Sequence, residues 1–235
     1  MHSWDLGREL YRKGVHVLLC SLLLVPFYVK ISLPLHAYYG LGLFVTALLN
    51  SFAAKRIQLS EDIRVIEEHV KAFRDLLEKH IGEPIKAIEE QLFRFEQFAL
   101  EQIDILQRDY EKREGYIGLL YGMIGISTTY LVFPRHIFYG ALALLLVDPV
   151  ASLVGMATGE GRRPPLHGTL SGFAVSSTLY ALLLLLFMDV PLLPAAAVAL
   201  AASAAELLSV EDNLTIPFTA SLAAWALGLP PMSPL

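Results

Sequence analysis

Long apolar runs separated by short polar breaks occupy most of the chain, and one charged stretch interrupts them. The first apolar run begins after Arg12 and Lys13. Further runs cover roughly 33–54, 115–133, 136–157, 168–188, 190–209 and 213–229. Each is near the 17–25 residues that a bilayer-crossing helix needs. No alternating barrel pattern competes with the Leu, Ala and Val runs, and helices satisfy their own backbone in lipid. The pattern therefore predicts an all-α polytopic membrane protein with about seven transmembrane helices. No small-residue cleavage site follows the first run, so it is expected to be a retained span.

The stretch 55–114 has a different rhythm. Leu59, Ile63, Ile66, Val70, Phe73 and Leu77 form a heptad seam. Gly82-Glu83-Pro84 should end one helix and start another, and the seam resumes at Ile85, Ile88, Leu92, Phe95 and Ala99. These spacings predict a cytoplasmic antiparallel helical hairpin whose arms reach about 37 Å. A self-packed pair with solvated charges is one reading, and a homodimerising or partner-binding coil is the other. Three regions follow: 1–54 with two membrane helices, 55–114 with the hairpin, and 115–235 with five membrane helices.

Composition sharpens this picture. Of 235 residues, 55 % are hydrophobic and 17 % charged, with a mean hydropathy of +0.53. A net charge of −5 gives no footprint for nucleic acid. The single cysteine, Cys20, excludes a disulfide framework and a cysteine-based metal site. Lys and Arg in short loops favour the cytoplasmic side. With the N-terminus inside, only Lys30 and Arg135 of the eighteen basic residues fall outside. A cytoplasmic N-terminus and site are thus expected, and the compact length without a targeting signal points to a prokaryotic plasma membrane.

Chemistry is expected where charge persists beside or within apolar runs, since such residues are costly in lipid. Four places qualify. Glu9, Arg12, Lys13 and His16 fall at i, i+3, i+4 and i+7 and share one helix face, suited to polyphosphate. Next, Arg113-Glu114 precedes a span with glycines at 115, 118, 122 and 125, a stripe that suits close helix packing. In the third place Asp148 follows seven apolar residues and precedes Pro149. Ser152, Gly155 and Gly159 extend a small face from this acid towards Arg162 and Arg163. Asp148 there could hold magnesium or accept a proton; helix packing through the glycines is the alternative. The fourth gathers Glu206, Glu211, Asp212 and Asn213 at a turn without a basic residue, suited to a divalent cation. Under the seven-helix topology the first, second and fourth places and the Arg162-Arg163 loop face one cytoplasmic rim. No P-loop and no protein-kinase signature is present.

Taken together, Glu9-x-x-Arg12-Lys13-x-x-His16, Arg113-Glu114-Gly115, Asp148-x-x-Ala151-Ser152-x-x-Gly155-x-x-x-Gly159 and Glu206 with Asp212-Asn213-Leu214-Thr215-Ile216-Pro217 resemble the CTP-dependent lipid kinases that include dolichol kinase, phytol kinase and the yeast-type diacylglycerol kinase. The resemblance covers nearly the whole membrane part. It implies CTP as donor, Mg2+ as cofactor and a membrane lipid alcohol of the dolichol or polyprenol type as acceptor. Family members usually continue after the glycines with Lys-[Ser/Thr]-x-Glu-Gly; here the stretch reads Pro164-Pro165-Leu166-His167-Gly168, then Thr169-Leu170-Ser171-Gly172-Phe173. Arg162 or Arg163 would replace the Lys, and His167 the Glu. The hairpin is also far longer than the family's usual connection.

The implied mechanism has Arg12, Lys13, Arg162 and Arg163 on phosphates, with Arg113, Ser152, Gly155, Gly159, His167, Gly168 and Asn213 in the nucleotide and phosphate site. Asp148, Glu206 and Asp212 are the expected metal ligands, and Asp148, Asp212, Lys13 and His16 the expected catalytic groups. Two rivals stand beside it. A cytidylyltransferase making a CDP-lipid would release pyrophosphate, and a small transporter would use Asp148 and Glu206 to relay protons or bind a cation.

Overall fold

The computed structural model describes residues 3–51, 117–160 and 166–234. All regular structure among these residues is helical, with α1 over Ser3–Tyr28, α2 over 35–51, α3 over Ile117–Val132, α4 over Ile137–Thr158, α5 over Leu170–Phe187, α6 over Leu192–Leu208 and α7 over Asp212–Ala226. The all-α expectation holds for them. Contacts divide the chain into two units, Met1–Thr46 with Gly118–Leu235, and Ala47–Ile117. The expected hairpin over 55–114 lies outside the described residues.

Three segments are long and apolar enough to cross a membrane: Glu9–Tyr28, Ile137–Thr158 and Leu170–Phe187. Gly118–Val132 and Leu192–Leu208 are apolar but shorter. At about 1.5 Å per residue they fall a few ångströms short of a ~30 Å hydrocarbon layer.

Most observed boundaries lie within a few residues of the hydropathic runs, and α1 is the exception. It begins eleven residues before the first apolar run, and within that polar stretch Glu9 and Lys13 meet Ser152 and Asp148 of α4. Turns of a few residues after α5 and α6 make the next helix an antiparallel neighbour.

Helix α4 is the centre of the first unit and packs against α1, α5, α6 and α7. Small residues let these helices approach. On α5 and α6, buried Ser176 and Ser203 meet hydroxyl to hydroxyl at 3.1 Å. Gly140 of α4 faces the Pro217 carbonyl and the Ser221 hydroxyl of α7, where any Cβ would collide.

Three helices carry an internal proline, which cannot donate to the carbonyl four residues earlier. At Pro26 the carbonyl released is that of Leu22, and Tyr38 Oη of α2 donates to it at 2.7 Å. Pro217 releases the Asn213 carbonyl, which lies against Gly125 of α3; a Cβ there would be 2.8 Å from it. Pro149 interrupts α4 one residue after Asp148 and releases the Leu145 carbonyl, next in the chain to the Leu144 carbonyl that His16 engages.

Helix ends are individually fixed. Gly159 closes α4 in the left-handed conformation, with φ of 65°. Thr169 caps α5 by accepting from the Gly172 N–H at 3.1 Å. Glu160 accepts from the N–H groups of Ser171 at 2.9 Å and Leu170 at 3.3 Å. Asp212 opens α7, where a carboxylate complements the positive end of the helix.

Candidate active site

The ionised face of α1 docks on α4. Lys13 Nζ donates to Asp148 Oδ1 at 2.7 Å, and both side chains are only 6 % exposed. One turn deeper on α1, His16 Nε2 lies 3.3 Å from Asp148 Oδ2 and 3.2 Å from the Leu144 carbonyl oxygen. Both partners are acceptors, which assigns the proton to this nitrogen. Cys20 Sγ is 3.3 Å from the same atom. One turn towards the end of the bundle, Glu9 accepts from Arg12 and, at 3.2 Å, from Ser152 Oγ of α4. Residues spaced i, i+4 and i+7 on α1 therefore meet i and i+4 on α4, and Arg12 at i+3 pairs with Glu9 on its own helix.

Lys13 is thus a buried partner of Asp148. Asp148 is near the midpoint of α4, about 15 Å from either end by helix rise, and α1 brings Lys13 and His16 to that depth.

Nearer the end of the bundle, α5 and α6 bring a second set of residues together. The N–H groups of His167 and Gly168 both donate to the Leu207 carbonyl, at 2.9 and 3.1 Å. That fixes Gly168 against buried Glu206, whose two carboxylate oxygens would each lie 2.8 Å from a Cβ at this position. Gly155 packs on Thr169, and Gly172 on the Ala151 carbonyl and Thr169. For Gly155 the packing reading therefore applies, while Gly159 serves as a helix terminator with open space around it. The approach of Thr169 and Gly172 to the Asp148-x-x-Ala151-Ser152-x-x-Gly155 stretch had no signal in the sequence beyond the Thr-x-x-Gly spacing of an N-cap.

Of the glycine stripe on α3, Gly125 lies against Asn213 and Leu214, and the Gly118 carbonyl accepts from Asn213 Nδ2 at 3.4 Å. Gly122 has open space. Asp212 Oδ1 accepts from the Asn213 N–H at 2.7 Å. Because Gly140 is level with Pro217 and Ser221 on the antiparallel α7, the start of α7 reaches the height of Asp148 to within about a turn. Asp148, Glu206 and Asp212 thus occupy the same half of the bundle. Even so, no group of three or more His, Cys, Asp or Glu side chains among the described residues is placed to hold a metal ion. The expected set of three metal ligands does not form a resident cage here. Arg113, Gly115, Arg162 and Arg163 lie outside the described residues.

Comparison of the chain with protein-family models, with curated proteins and with solved structures finds no match.

Proposed function

We propose that this chain is a polytopic membrane phosphotransferase that moves the γ-phosphoryl group of CTP, delivered with Mg2+, to the hydroxyl of a membrane isoprenoid alcohol of the dolichol or polyprenol type. The observation that carries the reading is the meeting of Glu9, Lys13 and His16 with Ser152 and Asp148, with Arg12 paired to Glu9 beside them. Segments 135 residues apart, each marked by its charge pattern, join in one buried cluster. The apolar outward face supports a lipid setting: Phe187 and Leu193 are 81 % and 82 % exposed while Lys13, Asp148 and Glu206 are buried.

In this reading the polar half of the bundle faces the cytoplasm. Arg12 and Lys13, with Arg113, Arg162 and Arg163, offset charge on the phosphates. Ser152, His167, Gly168 and Asn213 line the nucleotide side, and Gly155 and Gly159 shape the approach. Asp148 accepts the proton of the acceptor hydroxyl as its oxygen bonds to the γ-phosphorus. The bond from that phosphorus to the β–γ bridging oxygen breaks, and CDP leaves. His16 orients Asp148. CTP as the donor follows from the family resemblance alone.

The test is product analysis with purified protein, Mg2+, γ-labelled CTP or ATP, and a panel of dolichol, geranylgeraniol, phytol and diacylglycerol. Transfer of label from CTP to an isoprenoid alcohol is the expected result. Pyrophosphate release with phosphatidate would instead establish the cytidylyltransferase. One observation favours the transporter: a Lys13–Asp148–His16 cluster at mid-helix is the kind of buried ionisable group that marks transport pathways. Absence of both CTP binding and lipid labelling would support that reading and overturn the kinase.

A further inference from the structure

Two of the cations that the proposed function assigns to phosphate, Arg12 and Lys13, are already paired within the bundle. Arg12 is held by Glu9, which Ser152 Oγ also contacts at 3.2 Å. Lys13 is held by Asp148 at 2.7 Å in a buried setting. A phosphate oxygen that takes Lys13 must take it from Asp148, and one that takes Arg12 competes with Glu9. We propose that these two ion pairs form a resting lock: polyphosphate binding draws Lys13 and Arg12 onto the anion and thereby releases the Asp148 carboxylate to receive the acceptor's proton. This inference rests on the phosphotransferase reading and adds its regulation, namely that the base is exposed only after the donor has bound.

Each cation would swap one oxyanion for another and so stay paired, while Asp148, left without its counter-charge in the buried site, keeps only the His16 contact until it takes the acceptor's proton. Lys13 is the carrier suited to the inner pair, because its four-carbon stem can swing a point charge between acceptors. Asp148 stays oriented after the exchange through His16, whose ring is tied to the Leu144 carbonyl. Without nucleotide, Asp148 is engaged on both oxygens, by Lys13 and by His16, which disfavours idle transfer to water.

The test is equilibrium binding of Mg·CTP and, separately, of inorganic pyrophosphate to the purified full chain and its variants. Glu9→Gln removes the competitor for Arg12 and should tighten both ligands about threefold to fivefold. Asp148→Asn should tighten them about tenfold or more, and the gain should vanish in Lys13→Met/Asp148→Asn, because it operates through Lys13. Glu9→Gln keeps the proposal testable if Asp148→Asn fails to fold.

Unchanged or weaker binding in Glu9→Gln and Asp148→Asn would overturn the lock. So would an Asp148→Asn gain that persists without Lys13, since that would be a general relief of negative charge. Failure of the lock is distinct from failure of the kinase: lipid phosphorylation by the wild type without these gains removes only the lock. Pyrophosphate gains without any lipid phosphorylation keep the lock and remove the kinase.

Discussion

Replacing Lys13 by Met removes the ammonium from the buried pair while keeping most of the stem's volume. The Asp148 carboxylate, 6 % exposed, then loses the charged donor 2.7 Å away. Removing one member of a buried pair costs about 3–5 kcal/mol, because the other charge stays desolvated without its counter-charge. At about 2–4 °C per kcal/mol for a chain of this size, that is a drop of roughly 6–20 °C in Tm. Lys13→Met/Asp148→Leu removes both charges, and its stability should return to within about 1 kcal/mol of wild type or exceed it. The assay is thermal unfolding of the four proteins in one detergent, read as a double-mutant cycle. A coupling of about 3 kcal/mol or more is expected, against less than about 0.5 kcal/mol for independent sites. Additive single effects, or a Lys13→Met cost below about 1 kcal/mol, would refute the claim that the two charges depend on each other.

Glycine substitutions should separate close packing from mere presence on a helix. Gly172→Ala places a Cβ 2.5 Å from the Ala151 carbonyl oxygen and should cost about 1–3 kcal/mol, measured by unfolding, whereas Gly122→Ala, with open space, should be neutral or stabilising by up to about 1 kcal/mol. Gly168→Ala should displace the Glu206 carboxylate and lower lipid phosphorylation more than it lowers Tm; normal turnover would remove this contact from the site. Thr169→Ala should cost about 1 kcal/mol through loss of the α5 cap, and Thr169→Ser should recover most of it. Tyr38→Phe should cost about 1 kcal/mol by leaving the Leu22 carbonyl unsatisfied at Pro26, again read as Tm.

The helices were legible because runs near twenty apolar residues are a strong signal and Gly159, Pro191 and Asp212 mark ends chemically. The face Glu9 to His16 could be read from spacing, and so could its chemical character. Its partner could not. Periodicity says which residues share a side of α1, but not that this side reaches Asp148 at mid-helix instead of lying at a surface. The early start of α1 was hidden for the same reason: the stretch before the apolar run is polar, and Glu9 and Lys13 within it find their partners only on α4. Gly155 and Gly159 look alike as a GxxxG pair, yet one admits Thr169 and the other terminates a helix. Distinguishing them requires the neighbour's position and the local φ. The three carboxylates were individually conspicuous, but whether they form one ligand set depends on crossing geometry that one chain's pattern does not encode.

The separation of 135 residues between Lys13 and Asp148 has a consequence for biogenesis. At about 5–20 residues per second, on the order of 10 s pass between emergence of the lysine and emergence of its acid. On the membrane reading, α1 must wait through that interval with Lys13 and His16 unmatched, held at the interface or by an insertion factor, while the 55–114 stretch is made. The first helix to be synthesised therefore cannot settle on its polar face until α4 has been made.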